Sequence, residues 1–116
     1  MRHHNNNRKF GRVKNQRNAL IKHLAESLVQ YERIETTEAK AKELRSFIEK
    51  LVTRARIRDL SSERILVSRL GSKTAAKKLI NDIAPKYIKR EGGYTRVIKL
   101  PRRHGDSAKM ALIEFV

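Results

Sequence analysis

The sequence predicts an α+β fold: a basic N-terminal arm, then about four helices packed on a small mixed or antiparallel sheet of two to three strands. Three observations predict it. The first acid is Glu26, and seven cations precede it. Apolar residues then recur at three- and four-residue steps from Leu20 to Ala84, the period of a helix buried on one side. Beyond Gly92-Gly93 the period switches to two, as in a half-buried strand. The chain therefore divides into an arm over residues 1–14 and a single globular domain over 15–116.

Each element has its own signal. Leu20, Ile21, Leu24, Leu28 and Tyr31 form one stripe of a first helix, from about Asn15 to Gln30. Glu32-Arg33-Ile34-Glu35-Thr36 alternates and is expected to be an extended connector or strand. Thr37 is a candidate N-cap, with Glu38 suited to the positive end of the helix dipole. The stripe Ala41, Leu44, Phe47, Ile48, Leu51, Val52 and Ala55 marks the longest helix, expected to end near Arg58. Ser61 or Ser62 can cap a third helix through Ile65, Leu66 and Leu70, with Gly71 as its stop. Ser72 can cap a fourth, whose face is Ala76, Leu79, Ile80, Ile83 and Ala84. Pro85 should kink or end it, because proline lacks the amide donor, and Tyr87 and Ile88 add an irregular turn. Tyr94–Leu100 and Met110–Val116 then form two strands joined by a short glycine-containing loop, an antiparallel hairpin.

Charge narrows the function. With 28 Lys+Arg against 12 Asp+Glu, the 116-residue chain carries +16 and makes polyanions its default partners. It has no cysteine, which excludes disulfide scaffolds, thiolate nucleophiles and cysteine-ligated zinc. No apolar run approaches the ~20 residues of a membrane span. The first residues lack the apolar stretch of a secretory signal, so a cytoplasmic protein is expected.

Catalysis has little to stand on. His3 and His4 point apart in an extended chain with no acid nearby in sequence; near RNA they would donate to phosphates or stack on bases. His23 flanks an apolar stripe. Gly71-Ser72-Lys73-Thr74 lacks the first glycine and the preceding strand of a phosphate loop. It is a helix–turn–helix joint, which keeps a DNA-binding alternative open through Lys73, Lys77 and Lys78. His104 with Asp106 is the one nearby acid–base pair for an RNA-processing enzyme. Glu38, Glu43 and Glu49 lie near Lys42, Arg45 and Lys50, and are expected to be solvent-face pairs or a docking face for a neighbouring protein.

Two clusters fit one task. The arm supplies Arg2, His3, His4, Arg8, Lys9, Arg12, Lys14 and Arg17, and cannot bury enough surface to order itself without an anion. The run from Lys86 to Arg103 supplies Arg90, Gly92, Gly93, Tyr94, Arg96, Arg102 and Arg103, followed by His104. Glycines let backbone approach phosphate, arginines fork onto its oxygens, and Tyr94 is expected to stack on an unpaired base.

Met1-Arg2-His3, Gly11-Arg12 with Arg17, Thr36-Thr37, Ala39-Lys40-Ala41-Lys42-Glu43-Leu44-Arg45, Arg90-x-Gly92-Gly93-Tyr94-Thr95-Arg96 and Arg103-x-Gly105-Asp106 occur in this order. Together they resemble the bacterial large-subunit ribosomal protein seventeen family, over nearly the whole chain. The resemblance implies helices on a three-stranded mixed sheet, with Arg33 to Thr36 as the third strand. It further implies a structural protein, not an enzyme, that binds large-subunit rRNA near the polypeptide exit region and supports translation. Its expected partners are that rRNA and neighbouring ribosomal proteins, with no cofactor, no membrane and no small-molecule substrate.

Overall fold

A computed structural model describes residues 13–116. Helix α1, Lys14–Tyr31, starts one residue before its expected first residue, so Lys14 belongs to the helix rather than to the arm. It closes on Glu32, whose left-handed backbone (φ 65°) lets its amide donate to the Leu28 carbonyl at 2.7 Å. That conformation usually favours glycine, and here it turns the chain directly into strand β1, Arg33–Thr37. Thr37 caps helix α2, Glu38–Ala55, by accepting from the Lys40 amide at 3.4 Å.

Helix α2 is the centre of the molecule. Ala41, Leu44, Ile48, Leu51, Val52 and Ala55 are buried along it, and it touches α1, the next helix and all three strands of the sheet. It ends at Ala55, three residues before the expected stop. The cause is Arg58, which adopts φ 59° and breaks the helical path where no glycine marks it. Asp59, and not Ser61 or Ser62, then caps α3, Leu60–Leu70: its carboxylate accepts from the Ser62 amide at 2.6 Å. An N-cap side chain reaches the amide three residues on, so Asp59 captures Ser62, while Ser62 itself is buried in the first turn.

Gly71 (φ 72°) stops α3 and Ser72 caps helix α4, Lys73–Lys78, accepting from Ala75 at 3.2 Å. Regular α-helix lasts only those six residues. It widens into a π turn over Leu79–Ile83 and tightens into a 3₁₀ turn over Ala84–Tyr87 that carries Pro85. Ser72→Ala should remove an acceptor from a short helix and lower stability by about 1 kcal/mol, whereas Ser72→Gly should cost only a few tenths. Denaturant midpoints of the two variants measure the difference.

Strands β2, Thr95–Leu100, and β3, Met110–Phe115, pair antiparallel with Val97 opposite Ile113. Strand β1 joins the other side of β3, with Ile34 opposite Ile113. The order β1-β3-β2 makes every bonded pair antiparallel, which corrects the mixed sheet: β1 and β2 run the same way but are separated by β3. The connection between β2 and β3 spans residues 101–109, the polar glycine-containing loop expected between two antiparallel strands. Ile34, Ala111, Ile113 and Val97 face the helices, and the alternate residues Arg33, Glu35, Arg96, Ile98, Leu112 and Glu114 lie on the other face of the sheet. The last residue is tied in, for Val116 donates to the Tyr94 carbonyl at 2.9 Å and accepts from the Tyr87 hydroxyl at 2.7 Å.

Candidate nucleic-acid interface

Arg2, His3, His4, Arg8, Lys9 and Arg12 lie outside the described residues. Lys14 and Arg17 sit in the first turn of α1, Lys14 exposed and Arg17 half-buried. That turn has no side-chain cap from Val13 and no acid, so cations stand at the positive end of the helix dipole. An anion there would complement both the amides and the side chains.

The run from Arg90 to His104 is not one cluster. Strand β2 is six residues long and sets its two ends about 20 Å apart. Arg90, Gly92 and Gly93 gather at the start of the strand, and Arg102, Arg103 and His104 at its far end. Arg96 lies between them on the outer sheet face, its Nε 3.0 Å from Glu114 Oε1.

At the first end, Gly92 and Gly93 both have positive φ, 110° and 63°. Side chains rarely adopt either value, so the glycines permit this turn rather than merely stopping a helix. Tyr94 anchors it from below. Its ring is wholly buried and packs 5.2 Å from the Tyr87 ring at 56°, which corrects the expectation that it stacks on a base. The correction is physical: a ring with no exposed surface offers no face to an RNA base.

Tyr94 is held by one face of α2. Its amide donates to Glu49 Oε1 at 2.8 Å, and its hydroxyl lies 3.2 Å from Thr53 Oγ1 and accepts from Arg56 Nη1 at 3.0 Å. Arg56 also donates to the Ile88 carbonyl at 2.7 Å, bolting the end of α2 to the chain before the glycine turn. Burial pushes the Tyr94 phenol up, but the hydrogen bonds with Thr53 and Arg56 outweigh it, and the group titrates below its ordinary value. Glu49, Thr53 and Arg56 are spaced four and three residues apart, one helix face. Glu49 is therefore a turn anchor rather than a solvent-face partner of Lys50. Glu38 does pair with Lys42, at 2.8 Å, with Lys99 at 4.0 Å.

At the second end, Asp106 organises the loop. Arg103 donates to it twice, Nε to Oδ1 at 3.1 Å and Nη2 to Oδ2 at 2.7 Å, and the Ala108 amide adds a third bond at 3.1 Å. Arg102 reaches the Ser107 carbonyl at 3.1 Å, while His104 is exposed. One edge of the Arg103 guanidinium is thus taken within the chain, leaving Nη1 and the second Nη2 hydrogen to a partner. The fork from Arg103 and the Ala108 amide hold the Asp106 carboxyl down at about 2. An acid this strong is a poor general base for His104 near neutral pH. Because its pKa is lowered on folding, its contribution is full above about pH 4 and is lost as pH falls toward 2. The Ala108 amide resonance should accordingly hold its position to pH 3 and move below it, and Asp106→Asn should move it at pH 7.

The helix–turn–helix joint is packed rather than presented. Ala75 and Ala76 are buried, and Lys78 donates to the Gln30 carbonyl at 2.6 Å. Among the described residues, no group of three or more His, Cys, Asp or Glu gathers to hold a metal, and no helix is long and apolar enough to cross a membrane.

Comparison with known proteins identifies the family of the chain. The family model described as Ribosomal protein L17 matches residues 20–116. The Large ribosomal subunit protein bL17 of Sulfurimonas denitrificans is 51% identical over 116 residues, covering 100% of both chains. Those of Nautilia profundicola and Campylobacter jejuni are also 51% identical, over all of this chain and 98% and 99% of theirs. A cation-dominated α+β domain, matched along its whole length at half identity, is explained by common descent: the chain belongs to the ribosomal protein L17 family.

Proposed function

We propose that this protein is a structural component of the bacterial-type large ribosomal subunit, where it binds and stabilises large-subunit rRNA near the polypeptide exit region and so supports translation. The observation that carries the reading is the Gly92-Gly93 turn. It is a left-handed backbone corner, braced from α2 by Glu49 and Arg56, with Arg90 exposed beside it and its glycines open to close approach. Such a corner suits the shape and phosphate recognition of folded RNA. The names of its relatives supply the subunit, and the exit region comes from the resemblance. The arm, with Lys14 and Arg17, makes one contact; Arg90, Gly92 and Gly93 before β2 make a second, Arg102, Arg103 and His104 beyond its far end make a third, and Arg96 lies between those two. Its partners are large-subunit rRNA and neighbouring ribosomal proteins in the cytoplasm, and its role is structural rather than enzymatic.

Competition for purified large- and small-subunit rRNA at 150 mM salt tests the reading. Selective retention of the large-subunit RNA is expected. Equal affinity for both, or for duplex DNA, would return the Gly71 helix pair to consideration.

A further inference from the structure

We infer that the corner where α2 turns into α3, together with the segment before the glycine turn, is a further RNA-contact surface with an apolar centre. The inference rests on the proposed RNA binding and extends it to residues that, apart from Arg90, lie outside the contacts described above. Ile57, Leu60 and Ile88 expose 58%, 61% and 54% of their surface, large values for branched apolar side chains in a domain with a closed core. Ile57 and Leu60 flank the turn, and Arg56, the residue before Ile57, donates to the Ile88 carbonyl, so the three belong to one end of the molecule.

Cations surround them. Arg54, Arg58, Lys89 and Arg90 are exposed, and among the described residues none makes an ion pair. Arg58 is held at φ 59°, in a conformation a long side chain seldom adopts, which projects it from the turn instead of continuing the helix. The nearest acids in sequence are Asp59 and Glu91; Asp59 is committed to capping α3 through the Ser62 amide.

Charge decides the occupant. An apolar protein patch would be rimmed by mixed charge, whereas four cations around three apolar groups complement phosphates around an unstacked base or ribose. Apolar side chains placed against exposed base and sugar surface, with arginine and lysine on the flanking phosphates, form a recurrent mode of RNA and minor-groove contact. The corner adjoins Arg90 and the glycine turn, so it continues the contact made there around the end of α2 and does not stand apart from it.

Two variants of the full chain test this by filter binding to purified large-subunit rRNA across 50–300 mM salt. Arg54→Gln with Arg58→Gly and Lys89→Gln should reduce the salt slope by about two to three, since each lost phosphate contact removes about 0.7–0.9. Glycine accepts the left-handed turn, so the fold survives. Ile57→Ser with Ile88→Ser should weaken binding about tenfold at every salt, with the slope unchanged. Arg69→Gln with Lys73→Gln and Lys77→Gln removes the same number of charges at and beyond the α3–α4 joint, where α3 ends about 16 Å from the corner. Equal slope loss in that control overturns the corner. So does unaltered affinity in the serine pair, including the case where its rRNA affinity is normal and only entry into subunits fails, which would make the occupant a protein. Absence of rRNA binding by the unaltered chain overturns the proposed function itself, and this surface with it.

Discussion

Tyr94→Ala should remove about 3–5 kcal/mol of stability, the range for deleting a buried aromatic side chain. Domains of this size are stable by only about 5–15 kcal/mol, so the variant should be partly or largely unfolded at 37 °C. Three losses combine. The ring leaves the core beside Tyr87, the hydroxyl abandons Arg56 and Thr53, and the glycine turn loses its anchor. Tyr94→Phe separates them: it keeps the ring and should cost about 1.5–3 kcal/mol for a hydrogen bond to a charged group. Denaturant midpoints and RNA affinity, measured on both variants, distinguish this account from base stacking. If Tyr94 stacked on RNA, the alanine variant would keep its midpoint and lose affinity. The buried ring predicts the reverse order, with stability lost first and RNA binding failing only as the turn does.

Neutralising the arm should have the largest effect on binding. Converting Arg2, Arg8, Lys9 and Arg12 to glutamine in the full chain removes four of the 28 Lys+Arg and changes none of the described residues 13–116. If each cation neutralises one phosphate, the slope of log affinity against log salt should fall by about three to four, and affinity at low salt should fall by roughly 10²-fold or more. The unaltered chain, with about 6–10 such contacts, should lose about 10³–10⁵ in affinity between 50 and 200 mM salt. Stability should not change, and thermal unfolding of the same variant checks that.

The sequence carries the fold where local chemistry settles it. Thr37, Gly71 and Ser72 act as the caps and stop their side chains dictate, and the period of Ala41 through Ala55 places α2 against the sheet. Local signals fail where competition or distance decides. Ser61 and Ser62 are good caps, but Asp59 offers a stronger acceptor two residues before Ser61, and Arg58 enters a left-handed turn that its residue type does not announce. The sheet order depends on which strand β1 meets, a long-range event with no local mark.

The interface divides in the same way. Gly92-Gly93 and the flanking cations are visible as composition. The partnership of Glu49 with a backbone amide 45 residues away is not, although the spacing of Glu49, Thr53 and Arg56 shows that they share a helix face. Nor does a basic run disclose that a strand parts Arg90 from Arg102, or that Asp106 takes one edge of Arg103.

The proposed function makes this chain an integral, RNA-held part of the large ribosomal subunit. Sedimentation of cell lysate through a sucrose gradient after a high-salt wash, following this protein in every fraction, tests it most directly. Retention at one copy per large subunit is the expected result. Release to the top of the gradient, or migration with DNA, would contradict it.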